Sequence, residues 1–234
     1  MLSLKRFSLA AVGAVALTST GSIFSGVATA ASIGVSSYNI TNASPAGFGG
    51  WNHFYNGTIT NNGGETSNYS GGSGTLNDGL IGTDEQNTQL FSTPTASTTT
   101  IFLSQIAKVA NVKLFSIDTT GNGIPGNINS LDITINGITQ NFNTTGFGSL
   151  AANGPVHELI DFTSSAFADL ATDRITFSNF STAGSFLEYY SISEITVDGN
   201  PATAVPTPAL LPGLIGLCAA ALRKRKAEKV EGEV

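Results

Sequence analysis

Residues 130–142, SLDITINGITQNF, contain the clearest structural signal in the sequence. Leu131 and Ile133 begin an alternation of apolar and polar residues, which is the period of a β-strand with one buried face. Asn136 and Gly137 interrupt this alternation, and the pair is typical of the type I′ turn that joins two antiparallel strands. The alternation resumes after the turn, so the segment predicts a β-hairpin.

Similar short segments lie on both sides of this hairpin. They combine β-branched or aromatic residues with nearby turn residues and predict strands at 33–40, 54–60, 100–107, 109–117, 156–162, 174–180 and 189–197. The last strand changes phase between 192 and 195, which indicates a bulge near 193–194. Residues 61–74 predict a long surface loop and residues 165–171 a short helix or turn. The pattern predicts an all-β fold, an antiparallel β-sandwich of the jelly-roll type.

The charge distribution limits the ligands of this domain. Residues 31–205 contain 3 Lys or Arg and 13 Asp or Glu, which gives a formal charge of 3 − 13 = −10. An acidic surface of this kind argues against nucleic acid and anionic membranes as ligands. Neutral ligands and cations remain possible.

The N-terminus has the organisation of a signal peptide. Lys5 and Arg6 precede an apolar stretch at 7–17, and Ala28 and Ala30 supply the small residues of a cleavage site. We expect removal of residues 1–30, and the alternative is an uncleaved N-terminal anchor helix. The only cysteine, Cys218, lies near the other end, so the exported domain at 31–200 contains no disulfide.

Residues 201–234 form a three-part tail. The motif Pro206, Thr207, Pro208 and Ala209 precedes an apolar segment at 209–222 and a basic cluster at 223–226. The apolar segment predicts a short transmembrane helix whose basic end stays in the cytoplasm. This tail closely resembles the PEP-CTERM sorting signals of bacteria, in their PTPA-CTERM variant. The resemblance implies processing by an exosortase-type membrane enzyme and delivery to the cell surface or extracellular polysaccharide, whereas the alternative is an ordinary membrane anchor.

The segment 75–91, TLNDGLIGTDEQNTQLF, is rich in oxygen atoms that could bind a hard cation. Asp78 and Gly79 predict a tight turn, and Asp84 and Glu85 follow it. Calcium takes six to eight oxygen ligands from carboxylates, hydroxyls and backbone carbonyls. One loop rarely supplies all of them, and Glu194 is a candidate distant ligand because an isolated carboxylate in an apolar strand is costly unless it is paired.

The Asp-Gly loop and the closing strand with Glu194 before Val-Asp-Gly resemble the galactose-binding-like, discoidin-type jelly-roll modules, over about residues 32–199. The resemblance implies a structural Ca²⁺ between the loop and the final strand. The implied ligands are the side chains of Asp78, Thr83 and Glu194 and the backbone carbonyls of Thr75, Leu80 and Ser193. The alternative is an ordinary turn with a solvent-facing Glu194.

Aromatic residues cluster at 51–55, WNHFY, and supply a candidate carbohydrate site. An aromatic face can stack on a sugar ring while neighbouring amides or imidazoles bind its hydroxyls. The candidate residues are Trp51, His53, Tyr55 and Tyr69, and Phe54 belongs to the same cluster. The alternative is that Trp51 and Phe54 pack in the core or at an edge.

Catalysis is not indicated by the sequence. Neither a serine-hydrolase nor a zinc-protease motif is present, and His53 and His157 lie in no recognisable motif. We therefore expect a secreted, non-enzymatic protein that binds glycan or serves as a structural matrix component. The alternatives are a carbohydrate-active hydrolase with an unrecognised carboxylate pair and a surface protein without a ligand.

Overall fold

The computed structural model of the protein describes residues 30–117, 125–147, 155–183 and 188–202. These residues are organised mainly as β-strands. The strands are β1 (Ala31–Ile33), β2 (Val35–Ala43), β3 (Thr58–Asn61), β4 (Ser67–Gly72), β5 (Gln89–Ser92), β6 (Thr98–Ile117), β7 (Asn127–Ile135), β8 (Ile138–Phe147), β9 (Pro155–Asp161), β10 (Ala171–Ala183), β11 (Tyr189–Ile192) and β12 (Glu194–Pro201). Short 3-10 turns lie at Phe48–Gly50, Glu85–Asn87 and Thr93–Thr95.

Every strand pairing within the described ranges is antiparallel, and the long strand β6 organises them. Its first part pairs with β2 and β10, and its second part pairs with β12 and β9. The side chains at 104–106, between the two parts, are exposed. Both parts contribute buried residues to one core, so the strands form two layers. The predicted antiparallel β-sandwich is thus confirmed, and the jelly-roll assignment stays a prediction.

The hairpin predicted at residues 130–142 is present as β7 and β8. Ile135 pairs with Ile138, and the two residues between them, Asn136 and Gly137, have φ angles of 51° and 81°. Positive φ at both central positions is the requirement of a type I′ turn. Leu131 and Ile133 are fully buried, as their alternation predicts. Fully burying a side chain of this size contributes about 1.5–3 kcal/mol, so the core holds the register of the hairpin.

Three details differ from the sequence-based prediction, and a fourth agrees with it. The two strands expected at 100–107 and 109–117 are one strand, β6, because neither Gly nor Pro interrupts the chain between them. The expected surface loop at 61–74 contains β4, whose Tyr69 is 1% exposed and anchors a polar segment. Residues 165–170 form turns before β10 begins, which agrees with the predicted short helix or turn. At Ser193, where a bulge was expected, the chain leaves β11 and enters β12.

The predicted signal peptide and the sorting tail with its apolar segment lie outside the described residues, except for their last and first residues. Within the described ranges, no helix has the length and apolar character needed to cross a membrane.

Candidate functional site

The segment 51–56 places alternate side chains on opposite sides of the chain. Trp51, His53 and Tyr55 are buried, whereas Asn52 and the other even-numbered residues are exposed. Phe54 is 69% exposed and is the only aromatic residue among the large apolar side chains found exposed in the described ranges. The segment therefore turns one ring outward and three rings inward, with the period of two that extended backbone imposes.

His53 and Tyr55 pack into an aromatic cluster with two tyrosines from neighbouring strands, Tyr38 on β2 and Tyr69 on β4. The ring centroids of Tyr38 and Tyr55 are 5.0 Å apart, those of His53 and Tyr69 4.9 Å, and those of Tyr55 and Tyr69 5.4 Å. The Tyr55 hydroxyl donates to the Tyr38 carbonyl at 2.7 Å. Trp51 packs separately, in a small group with Leu90 and other residues. Edge and tilted contacts of this kind are typical of a core.

This packing corrects the sequence-based carbohydrate site. The expected side chains of Trp51, His53, Tyr55 and Tyr69 are all buried, between 1% and 9% exposed, so they offer no free face to a sugar ring. For Trp51 the alternative of packing in the core or at an edge is therefore the better description, whereas Phe54 does not pack in the core. Phe54 is the member of the same stretch that faces solvent, and the alternation of WNHFYN was the signal that separates it from its neighbours.

Burial also fixes the ionisation of the cluster. It lowers the pKa of His53 to about 3 and raises the pKa of Tyr69 to about 12, while the pKa of Tyr38 is also raised by burial. His53 is therefore neutral near pH 7, and its Nε2 lies 2.9 Å from the Tyr38 hydroxyl. Its other nitrogen, Nδ1, is buried without a partner among the described residues. A neutral histidine in this position has a structural role in the core.

The backbone around Phe54 is held firmly. Its N–H donates to the Thr75 hydroxyl at 2.9 Å, and its carbonyl accepts from the Thr75 N–H at 3.0 Å. A Cβ on Gly74 would lie 2.0 Å from the Phe54 carbonyl oxygen, so only glycine permits this approach. Asn56 also holds this segment in place. Its side-chain amide donates to the Ser73 hydroxyl, and its side-chain oxygen accepts from the Ser73 N–H. These contacts hold the backbone that carries the exposed Phe54 ring.

The Asp-Gly loop, which follows Thr75 in the chain, contacts the start of β12. The N–H of Gly79, which has a φ of 79°, donates to Oε2 of Glu194 at 3.1 Å. Glu194 is 3% exposed, and the N–H of Ile195 donates to the Leu76 carbonyl at 2.9 Å. The Asp78 carboxylate instead accepts from the Leu80 N–H and remains exposed. The structure therefore brings Asp78 and Glu194 together, as the predicted metal site requires, and Glu194 does not face solvent.

The pKa of Glu194 is raised to about 7. Burial is the main cause, and the Asp78 carboxylate adds to it, while hydrogen bonds from backbone N–H groups, led by Gly79, act in the opposite direction. These N–H groups favour a charged carboxylate that burial disfavours. A bound cation would offset the cost of burying the charged carboxylate, because opposite charge stabilises the ionised forms of both Asp78 and Glu194.

The other predicted ligands stay a prediction. Among the residues that would supply them, Thr75 is buried, whereas Leu80 is 68% exposed and Thr83 is also exposed. Ser193 is fully buried, and its hydroxyl has no partner within the described ranges. No group of three or more Asp, Glu, His or Cys side chains converges in the described part of the chain. Any cation at Glu194 would therefore depend on carbonyl oxygens and water for most of its ligands.

None of the known family models matches the sequence, and none of the curated proteins does either. Among solved structures, the chain is similar to a family 32 carbohydrate-binding module from C. perfringens NanJ, solved with galactose, at 16% identity and a TM-score of 0.36, over 68% of this chain and 98% of that one. A Streptococcus pneumoniae fucose-binding module matches at 15% identity and a TM-score of 0.37, over 61% and 91%. An F5/8 type C domain from Bacteroides fragilis matches at 13% and 0.34, over 54% and 79%.

Proposed function

We propose that this chain is a non-catalytic β-sandwich that binds a neutral glycan through the exposed ring of Phe54. The observation that carries the proposal is a single aromatic ring, 69% exposed, on a backbone fixed by Thr75 and Gly74. An exposed aromatic ring offers a flat apolar face, and the apolar face of a sugar ring is a suitable partner for it. A fixed backbone lowers the entropy lost on binding.

The surroundings of the ring favour a neutral, hydroxyl-rich ligand. Asn52 is exposed two residues away and supplies an amide that can both donate and accept. The loop after Thr75 carries two further exposed apolar side chains, Leu80 and Ile81. The charge of −10 over residues 31–205 disfavours an anionic ligand. Stacking with amide hydrogen bonds is the chemistry by which proteins bind uncharged sugars.

Glycan binding by full-length protein is the test. Phe54→Ala should weaken binding to a neutral glycan, selected on a glycan array and measured by calorimetry, about tenfold, which is the equivalent of about 1.4 kcal/mol. Phe54→Tyr keeps the ring and should bind like the unmodified chain. Ile59→Ala, which removes a half-exposed apolar side chain from β3, is the control. Equal binding by Phe54→Ala, or no neutral glycan bound at all, would exclude this function.

The proposed location follows from the two terminal segments. Residues 1–30 support export, and the motif Pro206–Ala209 with residues 209–226 supports transient membrane attachment and processing by an exosortase-type enzyme. The domain would then act at the cell surface, in contact with extracellular polysaccharide. The mass of the protein recovered from its native cells tests this, and a mass that includes both termini would contradict it.

A structural Ca²⁺ is proposed at the junction of the Asp-Gly loop and β12. Glu194 is the central ligand, Asp78 is its partner, and the support is the buried carboxylate that faces backbone N–H groups and another carboxylate. Bound Ca²⁺ would hold this loop against the final strand. Because Thr75 belongs to the same loop segment and supports Phe54, the cation would also steady the glycan surface.

A further inference from the structure

A row of hydroxyl side chains crosses the outer face of the sheet formed by β2, β6, β10, β7 and β8. Thr100 on β6 pairs with Thr176 on β10, which pairs with Thr134 on β7, which pairs with Thr139 on β8. The residues on either side of the first three threonines along their strands are buried. The threonines therefore face away from the core, at the spacing of about 4.8 Å that separates neighbouring strands.

A groove of about 360 Å³ opens along this row. It lies between the β7–β8 turn and the start of β10, and it is lined by Thr134, Asn136, Gly137, Asp173, Arg174 and Thr176. Its volume is within the range of small-molecule binding sites, about 300–1,000 Å³. It involves different strands from the Phe54 segment, so it is a separate site.

The charged residues in the groove, Asp173 and Arg174, form an ion pair between exposed side chains. Nε of Arg174 donates to Oδ1 of Asp173 at 3.0 Å, and the guanidinium lies 5.8 Å from the centre of the Phe102 ring. A second bond to Oδ2 is longer, at 3.4 Å. A guanidinium has five N–H donors, so about three remain to bind a ligand. Because the two charges balance and the other lining residues are uncharged, the groove complements a neutral ligand.

The hydroxyl and amide groups also retain capacity for hydrogen bonds. The Thr100 and Thr176 hydroxyls share one hydrogen bond of 2.9 Å, and the Thr134 and Thr139 hydroxyls share one of 2.8 Å. Each pair uses one of its two protons, which leaves one proton per pair for an outside acceptor. Asn136 donates to the Ala171 carbonyl and keeps its side-chain oxygen as an acceptor. The groove thus presents both hydrogen-bond donors and hydrogen-bond acceptors to a ligand.

We propose that this groove is a second glycan-binding site, which takes an internal stretch of a neutral polysaccharide. The donors and acceptors along the groove match the hydroxyls of consecutive sugar units, and the balanced charge disfavours acidic polymers. The hydroxyl row continues beyond the groove to Thr139 on one side and Thr100 on the other, so the surface suits a chain more than a single sugar. With Phe54 as a separate site, one molecule would bridge polysaccharide chains or bind one chain by two contacts.

Affinity electrophoresis of the full chain tests the groove. The probes are three neutral polysaccharides, galactomannan, dextran and xyloglucan, and the acidic polymer alginate. The double variant T134V/T176V removes two hydroxyls and keeps the β-branched shape, and we expect about a tenfold loss of affinity for the neutral polymer that retards the chain. The matched control is T58V/T60V, the same exchange on the exposed strand β3, which should bind unchanged.

Two further variants keep the outcome clear. Arg174→Gln changes an exposed side chain, so it should fold normally, and it should weaken binding by a similar factor. Phe54→Ala should retain the binding that T134V/T176V removes, which separates this site from the one at Phe54. The inference is overturned if both groove variants bind within twofold of the unmodified chain, if Phe54→Ala alone abolishes all binding, if alginate binds as well as the neutral polymers, or if no neutral polymer retards the chain.

Discussion

The aromatic cluster around His53 and the junction at Glu194 each bury one titratable side chain, but in different surroundings. His53 lies among the rings of Tyr38, Tyr55 and Tyr69 and shares a hydrogen bond with the Tyr38 hydroxyl. Glu194 lies beneath a loop and accepts a hydrogen bond from the Gly79 N–H. Burial favours the neutral form of both side chains and thus lowers the pKa of His53 and raises that of Glu194.

The difference shows which region is core and which is a candidate site. Around His53, packing and hydrogen bonds agree on a neutral histidine, so the region gains nothing from a change of charge. Around Glu194, burial favours the protonated form, while the backbone N–H groups favour the carboxylate. Because these two effects on the charge of Glu194 oppose each other, a change of pH or a bound cation can change the stability of the junction.

The largest effect is expected from removal of a ring in the aromatic cluster. Tyr69→Ala deletes a side chain that is 1% exposed and touches both His53 and Tyr55. Loss of a buried aromatic side chain typically costs about 3–5 kcal/mol. Urea unfolding should show this decrease in the free energy of unfolding, and a decrease below about 1 kcal/mol would mean that the cluster is not part of the core.

The control for this variant is Tyr69→Phe. It keeps the ring and removes only the hydroxyl that donates to the Ser44 carbonyl at 2.9 Å. The expected cost is about 0.5–1.5 kcal/mol, the usual contribution of one hydrogen bond, because the Ser44 carbonyl keeps the bond that it accepts from the Gln89 side chain. A Tyr69→Phe variant as unstable as Tyr69→Ala would place the contribution in the hydrogen bond instead of in the ring.

Intermediate effects are expected from pH, with opposite signs in the two regions. The pKa of Glu194 is about 7 in the folded protein against an ordinary 4.5, so its contribution to stability is present below pH 4.5 and is lost as the pH rises to 7. The pKa of His53 is about 3 against an ordinary 6.5, so its contribution is present above pH 6.5 and is lost as the pH falls. Between pH 4.5 and 6.5 the two trends oppose each other.

Single variants should reveal each trend separately. In Glu194→Gln, the His53 trend remains, and stability should rise by about 2 kcal/mol from pH 4.5 to 6.5. In His53→Gln, the Glu194 trend remains, and stability should fall by about 3 kcal/mol from pH 4.5 to 7. Glu85→Gln, at an exposed position, is the control and should follow the unmodified chain. Identical pH profiles in both variants would contradict the assignment of the two buried groups.

Much of the fold could be predicted from the sequence, because local patterns decide it. Alternation and the Asn136–Gly137 turn identify the hairpin without any long-range information. The continuity of β6 was missed although neither Gly nor Pro interrupts it, since its two halves pair with different strands and only long-range contacts show this. The strand β4 was hidden because its polar residues resemble a loop until Tyr69 is seen in the core.

The candidate sites were less accessible to sequence reasoning. Residue type alone grouped Phe54 with its buried neighbours, and only the side on which each residue lies separates them. The pairing of Asp78 with Glu194 was predicted through a family resemblance, and the structure brings these two together. The groove at Arg174 depends on the register of β7 with β10, which no local motif reveals.

The smallest effect is expected from calcium, and it tests the junction directly. At pH 8 and a Ca²⁺ concentration about ten times the Kd, binding to the folded state adds about 1.4 kcal/mol, which raises the Tm by a few degrees. Asp78→Asn and Glu194→Gln should abolish this rise, whereas Glu85→Gln should keep it. Magnesium should have a weaker effect, because it requires a closer octahedral shell than a loop of carbonyl oxygens provides. An unchanged Tm with calcium would show that no Ca²⁺ binds at the junction, and an equal rise in Asp78→Asn and Glu194→Gln would place the bound Ca²⁺ elsewhere.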